Sequence, residues 1–215
     1  MATALDTGNL DAVFEEDSNN HRARMLDDWT PPNPARYVVR TIDIKRVGTE
    51  LIASFRDSGY VQNLGTQDIR DVVRGLVPVT LSGPELSAPG ASPTTPLDLQ
   101  LKNYPTYVIF VLGEPSNMRF NPDKKAMSHK NRDDRNNYGR LRHVIATRED
   151  EDPLDDCRVV YFVAKPLSPP ATDYKHGFNL NVRLDQGLDQ DGNARALDIE
   201  IDPDIRYPGG SVTEP

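Results

Sequence analysis

The side chains of this chain best suited to bind an anion are concentrated between residues 124 and 142. Seven cationic residues stand there against two acidic ones, whereas the whole chain has 25 Lys and Arg, 33 Asp and Glu, and a net charge of -8. Guanidinium and ammonium groups bind phosphate oxygens, and an aromatic ring among them can stack on a base. The candidate ligand-binding residues of this basic segment are Lys124, Lys125, Lys130, Arg132, Arg135, Tyr138, Arg140 and Arg142.

An oppositely charged region lies at the N-terminus. Residues 1–35 are rich in acids and end in a proline cluster, a composition typical of a flexible arm. The only tryptophan, Trp29, lies there and is interpreted as a partner anchor or as a staple onto its own domain. The opposed charges predict contact with a protein partner or with further copies of the chain. The acidic balance of the whole chain disfavours nucleic acid as a partner.

Candidate reactive residues are widely spaced along the chain. His143, Cys157 and His176 are an example of scattered residues that could converge on a catalytic site. Cys157 heads an apolar run, which favours a buried hydrophobic role over a nucleophilic one. The sequence contains no phosphate-binding loop motif, no dinucleotide fingerprint and no close pair of zinc ligands, so we predict no cofactor.

One polar segment has some features of a calcium loop. Asp189, Asp191 and Asn193 place oxygen ligands at alternating positions, and Glu200 follows eleven residues after Asp189. The position that needs glycine in such a loop is Ala194, and the residues after it alternate like a strand. An ordinary hairpin turn is therefore the favoured interpretation, with calcium as the alternative.

The elements that must position these residues are mostly strands. Two apolar, β-branched runs at residues 107–112 and 158–164 predict buried strands, and residues 178–184 and 197–201 alternate apolar with polar side chains as a hairpin does. Residues 67–76 have helical spacing, with Thr66 as the expected N-cap. About eight strands and one helix are expected in total.

These elements predict a mainly β protein with one short helix. We expect an antiparallel β-sandwich, Ig-like or jelly-roll-like, with a partly open barrel as the alternative. The expected organisation is a flexible arm at 1–35, a single sandwich domain at 36–210 with a proline-rich loop at 82–96, and a tail at 211–215. No run approaches the roughly 20 apolar residues of a membrane span, and no secretory signal pattern is present, so a cytoplasmic location is expected.

The C-terminal half resembles a group of small bacterial proteins, some of which carry the label "nucleotide synthetase". The resemblance covers about residues 105–210. It is carried by HGFNLNV from residue 176, IDPDI from residue 201, PGG from residue 208 and Phe120. These are strand and turn patterns, and the resemblance implies no catalytic residues.

The sequence alone therefore favours a non-catalytic β-sandwich that acts through protein–protein contact or self-association. The alternative is a binding module for a nucleotide, phosphate or nucleic acid through the basic segment. An enzyme built from His143, Cys157 and His176 is a third hypothesis, without a motif to support it.

Overall fold

The structure of the chain is a computed structural model that describes residues 36–47, 50–57, 61–76, 99–101, 105–113, 117–130, 138–139, 141–145, 148–150, 152, 154–164 and 174–207. Thirteen strands and one helix lie within these residues. The strands are β1 Arg36–Val47, β2 Glu50–Asp57, β3 Gln62–Asn63, β4 Leu99–Gln100, β5 Thr106–Leu112, β6 Met118–Phe120, β7 Met127–His129, β8 Arg142–Ile145, β9 Arg148–Asp150, β10 Val159–Ala164, β11 Tyr174–Leu188, β12 Ala194–Ile201 and β13 Asp204–Tyr207. The helix α1 covers Ile69–Gly75.

The first sheet, sheet I, has seven strands. Its order is β2-β1-β5-β10-β8-β9, with β3 pairing on β1. β1 and β5 run parallel, and all other pairs in this sheet are antiparallel. Parallel neighbours need a long crossover connection, and α1 lies in the segment that joins these two strands.

The second sheet, sheet II, is organised around the long strand β11. Its order is β12-β11-β13-β4, with β6 and β7 also pairing on β11. The only parallel pair within the described part of this sheet is β13 with β4. The predicted hairpin is present as β11 and β12, and its turn contains Gly192 with a positive φ of 82°.

One hydrophobic cluster contains side chains from both sheets. Phe110 and Phe162 of sheet I contact Phe178 of sheet II, with ring centroids 5.7 and 5.8 Å from that of Phe178. The predicted apolar row of β11 is buried, as expected. Its members are Phe178, Leu180, Val182 and Leu184. The corresponding row of β12 was expected in the core as well, but Leu197 is 37% exposed because this end of the hairpin extends beyond the cluster.

A second cluster covers the other face of sheet I. The helix α1 buries Ile69 and Val73 against this face. Its N-cap is Asp68, whose side chain accepts a hydrogen bond from the Arg70 amide. The prediction of Thr66 as N-cap was therefore wrong by two residues, because the aspartate carboxylate satisfies the free amide of the first turn.

The fold class was predicted correctly only at the coarse level. The protein is mainly β with one short helix, and it contains two open sheets. The expectation of purely antiparallel sheets was wrong, since both sheets are mixed. No helix in the described ranges is long and apolar enough to cross a membrane.

Several expectations fall on residues outside the described ranges. These are the arm at 1–35 with Trp29, the proline-rich loop at 82–96, the tail at 211–215, and Arg132, Arg135 and Arg140. The predicted cytoplasmic location and the protein partner stay predictions.

Candidate functional site

The basic segment is divided between different parts of the fold. Lys124 is exposed, whereas Lys125 Nζ lies 2.8 Å from Asp152 Oδ1. Lys130 forms an ion pair with Asp202. The lysines therefore lie in and after the connection between β6 and β7, where two of them already contact carboxylates.

Tyr138 and Arg142 lie elsewhere. The Tyr138 side chain is fully buried, and its ring packs edge-on against Phe162 at 5.7 Å. A ring enclosed in the core has no free face on which a base could stack, so the stacking role expected for Tyr138 is corrected to a packing role. Arg142 pairs in register with Tyr161 on the helix side of sheet I, and its Nε lies 3.5 Å from Glu149 Oε1.

The groups Arg142, Glu149 and Tyr161 form the helix-side cluster. Tyr161 donates its hydroxyl hydrogen bond to Glu149. Burial, together with the charge of Glu149, raises the pKa of Tyr161 far above its usual value, because a phenolate would lose its hydration there. The hydroxyl of Tyr161 therefore stays protonated at neutral pH.

Residues 121–126, here called the bulge loop, form the most distinctive feature of sheet II. β6 and β7 pair with β11 on either side of a single residue, Asn181. The Asn121 amide donates to the Asn181 carbonyl at 3.0 Å, and the Asn181 amide donates to the Ala126 carbonyl at 2.8 Å. The six residues of the bulge loop therefore lie opposite the single residue Asn181. Backbone hydrogen bonds to Asn181 fix both ends of the loop.

Further hydrogen bonds shape the bulge loop. The Asn181 side chain donates from Nδ2 to the Lys125 carbonyl at 2.9 Å, and Asn121 Oδ1 accepts from the Asp123 amide at 2.9 Å. The buried His143 accepts through Nε2 from the Ala126 amide at 3.4 Å. His143 is thus a supporting residue beneath the loop.

An arginine on β11 lies beneath the tip of the bulge loop. Arg183 Nη1 lies 2.6 Å from Asp123 Oδ2, and its Nε lies 2.8 Å from Asp198 Oδ1 on the neighbouring strand β12. A second contact to Asp198 joins Arg183 Nη2 to Oδ2 at 3.3 Å. Asp198 therefore binds Nε and Nη2 of the Arg183 guanidinium in a bidentate contact. Asp123 contacts the remaining nitrogen, Nη1.

These contacts shift the titration of the groups involved. The hydrogen bonds from Arg183 lower the pKa of Asp198 below its ordinary value. The same contacts, those of Asp198 first, raise the pKa of Arg183. Both groups are thus charged across the physiological range, and two carboxylates face one guanidinium.

A second arginine lies beside the first on the same face. Arg119 on β6 pairs in register with Arg183 on β11. Its Nη1 lies 3.3 Å from Asp185 Oδ2 and 3.6 Å from Asp156 Oδ1. Two neighbouring guanidinium groups therefore lie on the side of β11 opposite the apolar row. We call this surface the outer face of sheet II, and its members are Arg119, Asn181, Arg183, Asp185 and Asp198.

Of the scattered reactive residues, Cys157 and His143 have structural roles. Cys157 is fully buried, and its Sγ lies 3.2 Å from the Val159 carbonyl. Burial raises the pKa of the Cys157 thiol to about 11, so it stays protonated and is not a nucleophile at neutral pH. His143 is used by the bulge loop, and the side chain of His176 lies outside the described residues.

The segment considered for calcium is a hairpin turn. Asp189 Oδ1 accepts from the amides of Asp191 and Asn193 at 2.9 and 2.8 Å. These hydrogen bonds, that of Asn193 first, lower the pKa of Asp189. Among the described residues no three His, Cys, Asp or Glu side chains are grouped so that they could hold a metal ion. The carboxylate of Asp189 therefore stabilises the turn by accepting hydrogen bonds from its backbone amides.

Sequence reasoning identified Lys124 and Lys125 but missed the residues that surround them. The polar half of the alternating pattern in β11, which includes Asn181, Arg183 and Asp185, was the available signal. A row of polar residues opposite an apolar row usually marks only a solvated face, so it attracted no functional interpretation.

The chain matches one family model over residues 87–210, and the description of that family is "Predicted novel nucleotide synthetase". The match includes the bulge loop and the whole outer face of sheet II. A search of curated proteins gave no match. The family description names a class of enzymes and therefore contradicts the expectation of a non-catalytic contact module.

Proposed function

This chain belongs to the family described as "Predicted novel nucleotide synthetase", and on that premise we propose that it is an enzyme that builds a nucleotide product from nucleoside triphosphates. We propose further that the reaction takes place on the outer face of sheet II, next to the bulge loop. The observation that carries this location is the position of Arg183 directly beneath the loop that bears Lys124 and Lys125.

The chemistry of the proposed reaction requires cations at fixed positions. In the proposed reaction a hydroxyl oxygen of one nucleotide attacks the α-phosphorus of a triphosphate and loses its proton to solvent. A new P–O bond forms, the bond between the α-phosphorus and its bridging oxygen breaks, and pyrophosphate leaves with the electrons of that bond. Negative charge accumulates on the phosphate oxygens, and preorganised cations stabilise it. Arg183 is preorganised in this sense, since Asp198 holds its guanidinium fork from the neighbouring strand.

The roles we assign follow from position and exposure. Arg183 and Lys124 bind the phosphate chain, and Arg119 stabilises charge further along β6. Asp198 and Asn181 are positioning residues, because they orient Arg183 and the bulge loop respectively. The binding of a nucleotide through part of the basic segment, at Lys124 and Lys125, is retained in this proposal.

The experiment that tests the proposal is a search for product. The purified protein is incubated with the magnesium salts of the four ribonucleoside triphosphates, singly and in pairs. Pyrophosphate release is measured, and new nucleotides are identified by mass spectrometry. We expect pyrophosphate and one new nucleotide species from the wild type. A wild type that releases no pyrophosphate and forms no product from any combination would refute the enzymatic function.

A matched pair of variants tests the location of the site. Arg183→Gln removes the fork beneath the bulge loop, whereas Arg195→Gln removes an exposed arginine from the same hairpin. We expect product formation to be lost in the first variant and retained in the second. Equal activity of the two variants would show that the site lies elsewhere.

A finer architecture is proposed on separate grounds. We propose that the two sheets form a β-sandwich within one domain at 36–210. Support comes from the single cluster that contains Phe110 and Phe162 of sheet I and Phe178 of sheet II.

A further inference from the structure

The two carboxylates on Arg183 are held very differently. Asp198 lies directly opposite Arg183 in the register of β11 and β12 and makes two contacts, at 2.8 and 3.3 Å. Asp123 makes one contact, at 2.6 Å, from the tip of the bulge loop, and its side chain is 70% exposed. Asp198 is thus a fixed partner set by the sheet, and Asp123 is a partner that reaches in from solvent.

The anchors of the bulge loop determine which part of it can move. Its first and last residues, Asn121 and Ala126, are hydrogen-bonded to the backbone of Asn181, and the Lys125 carbonyl is bonded to the side chain of Asn181. Within the tip, the Asp123 amide donates to Asn121 Oδ1 and the Lys124 amide donates to the Asn121 carbonyl, so the backbone there is held as well. Asp123 can therefore leave Arg183 by rotation of its exposed side chain while the loop stays attached to the sheet.

The end of Arg183 that Asp123 contacts is suited to a phosphate. A carboxylate oxygen and a phosphate oxygen accept the same charge-assisted hydrogen bond from a guanidinium. With Asp123 in place, Arg183 already has a carboxylate partner at Nη1 as well as at Nε, so a further anion must replace Asp123 to reach Nη1. Without it, Nη1 of Arg183 is left to bind another anion, under a loop tip that carries the exposed Lys124. The charge of Lys124 also acts on Asp198, the other partner of Arg183.

From this arrangement we infer that Asp123 occupies the position on Arg183 that a phosphate of the triphosphate chain takes, so that the bulge loop is a built-in competitor of the substrate. The inference rests on the proposed function, since it names the group that the site of that function recognises. Binding then exchanges one anion for another on Nη1: Asp123 moves into solvent, the phosphate takes its hydrogen bond, and Asp198 keeps the fork in place.

The test compares two isosteric variants that each remove one exposed carboxylate. Asp123→Asn removes the competitor, and Asp155→Asn removes a carboxylate from a neighbouring exposed turn. Binding of ATP and of inorganic tripolyphosphate is measured by titration calorimetry at two salt concentrations, and melting temperatures confirm that both variants are folded. We expect Asp123→Asn to bind both probes about tenfold more tightly than the wild type, as one lost charge contact implies, and Asp155→Asn to match the wild type.

The possible outcomes separate this inference from the proposed function. If the wild type forms a nucleotide product but Asp123→Asn binds no more tightly than Asp155→Asn, the competitor role is refuted and the enzymatic function stands. If ATP gains affinity but tripolyphosphate does not, the group exchanged is not the phosphate chain, and the inference fails. If no form of the protein binds or consumes a triphosphate, both proposals are refuted.

Discussion

Two ion-pair clusters lie on different sheets of this protein, and they differ in which partner is exposed. On the outer face of sheet II the Arg183 side chain is 18% exposed, while its partners Asp123 and Asp198 are 70% and 45% exposed. In the helix-side cluster the relation is reversed, since Glu149 is 14% exposed and Arg142 is 29% exposed. An exposed carboxylate can be exchanged for a ligand at little cost, whereas a buried one is held by the groups around it.

This difference separates a site from a structural contact. Glu149 accepts from the Tyr161 hydroxyl as well as pairing with Arg142, so removing it takes one acceptor from each of these two groups. Asp123 has solvent on its free side. We therefore expect substitutions on the outer face of sheet II to change activity, and substitutions in the helix-side cluster to change stability.

The largest expected effect is on turnover. Arg183→Gln should lower kcat/KM for the nucleotide reaction by about 100-fold or more, which is the usual effect of losing a transition-state charge contact. Arg183→Lys should lower it by about tenfold, because the positive charge remains but the bidentate guanidinium geometry is lost. Arg142→Gln should leave kcat/KM near that of the wild type. Steady-state pyrophosphate release measures all three. Equal losses in Arg142→Gln and Arg183→Gln would remove the distinction between the clusters.

The next effect is on stability. Glu149→Ala should lower the free energy of unfolding by about 1 to 2 kcal/mol, because the buried Tyr161 hydroxyl and the half-buried Arg142 both lose the half-buried carboxylate as an acceptor. Urea denaturation followed by circular dichroism measures the change, with Asp155→Ala as the exposed control. A loss no greater than that of the control would place the helix-side cluster among ordinary surface pairs.

A smaller effect concerns the anchor of the bulge loop. Asn181→Ala removes the hydrogen bond to the Lys125 carbonyl and should cost about 1 kcal/mol of stability, while KM for the nucleotide rises. The control is Gln186→Ala, which removes an exposed amide from the same strand. If KM is unchanged in Asn181→Ala although stability falls, the loop does not contribute to the site.

The smallest effect is on acid stability. Arg183 lowers the folded-state pKa of Asp198 below the ordinary value of 3.8, so the stability that this contact adds is complete above that pH and is lost as the pH falls through the lowered pKa. Because the pair is partly exposed, the contribution is about 0.3 kcal/mol. Asp198→Asn should therefore flatten the unfolding free energy below about pH 4, relative to wild type. An identical slope in both proteins would contradict the pairing.

Local patterns in the sequence were sufficient to predict β11 and the buried strands β5 and β10. Alternation identifies which residues of β11 share a face, and continuous apolar runs identify strands covered on both sides. The parallel pairing of β1 with β5 was not predictable in this way. It depends on a crossover past α1, and no local pattern encodes which distant strand will be the neighbour.

The candidate site was predictable only in part for the same reason. Lys124 and Lys125 were visible as a charged pair. Their neighbour Arg183 is far away along the chain and arrives only when β6 and β7 pair with β11. For Tyr138 the sequence suggested a ligand-binding role that the structure does not support. Its neighbours in the sequence are polar, so nothing in the sequence indicated that its ring packs against Phe162.

The length of the bulge loop can change without disturbing the strand pairing of the sheet from which it projects. Because the pairing of β6 and β7 with β11 resumes on both sides of Asn181, residues could be gained or lost at the tip without shifting the register of either strand. Related chains can therefore differ in how far this loop reaches while the framework beneath stays constant.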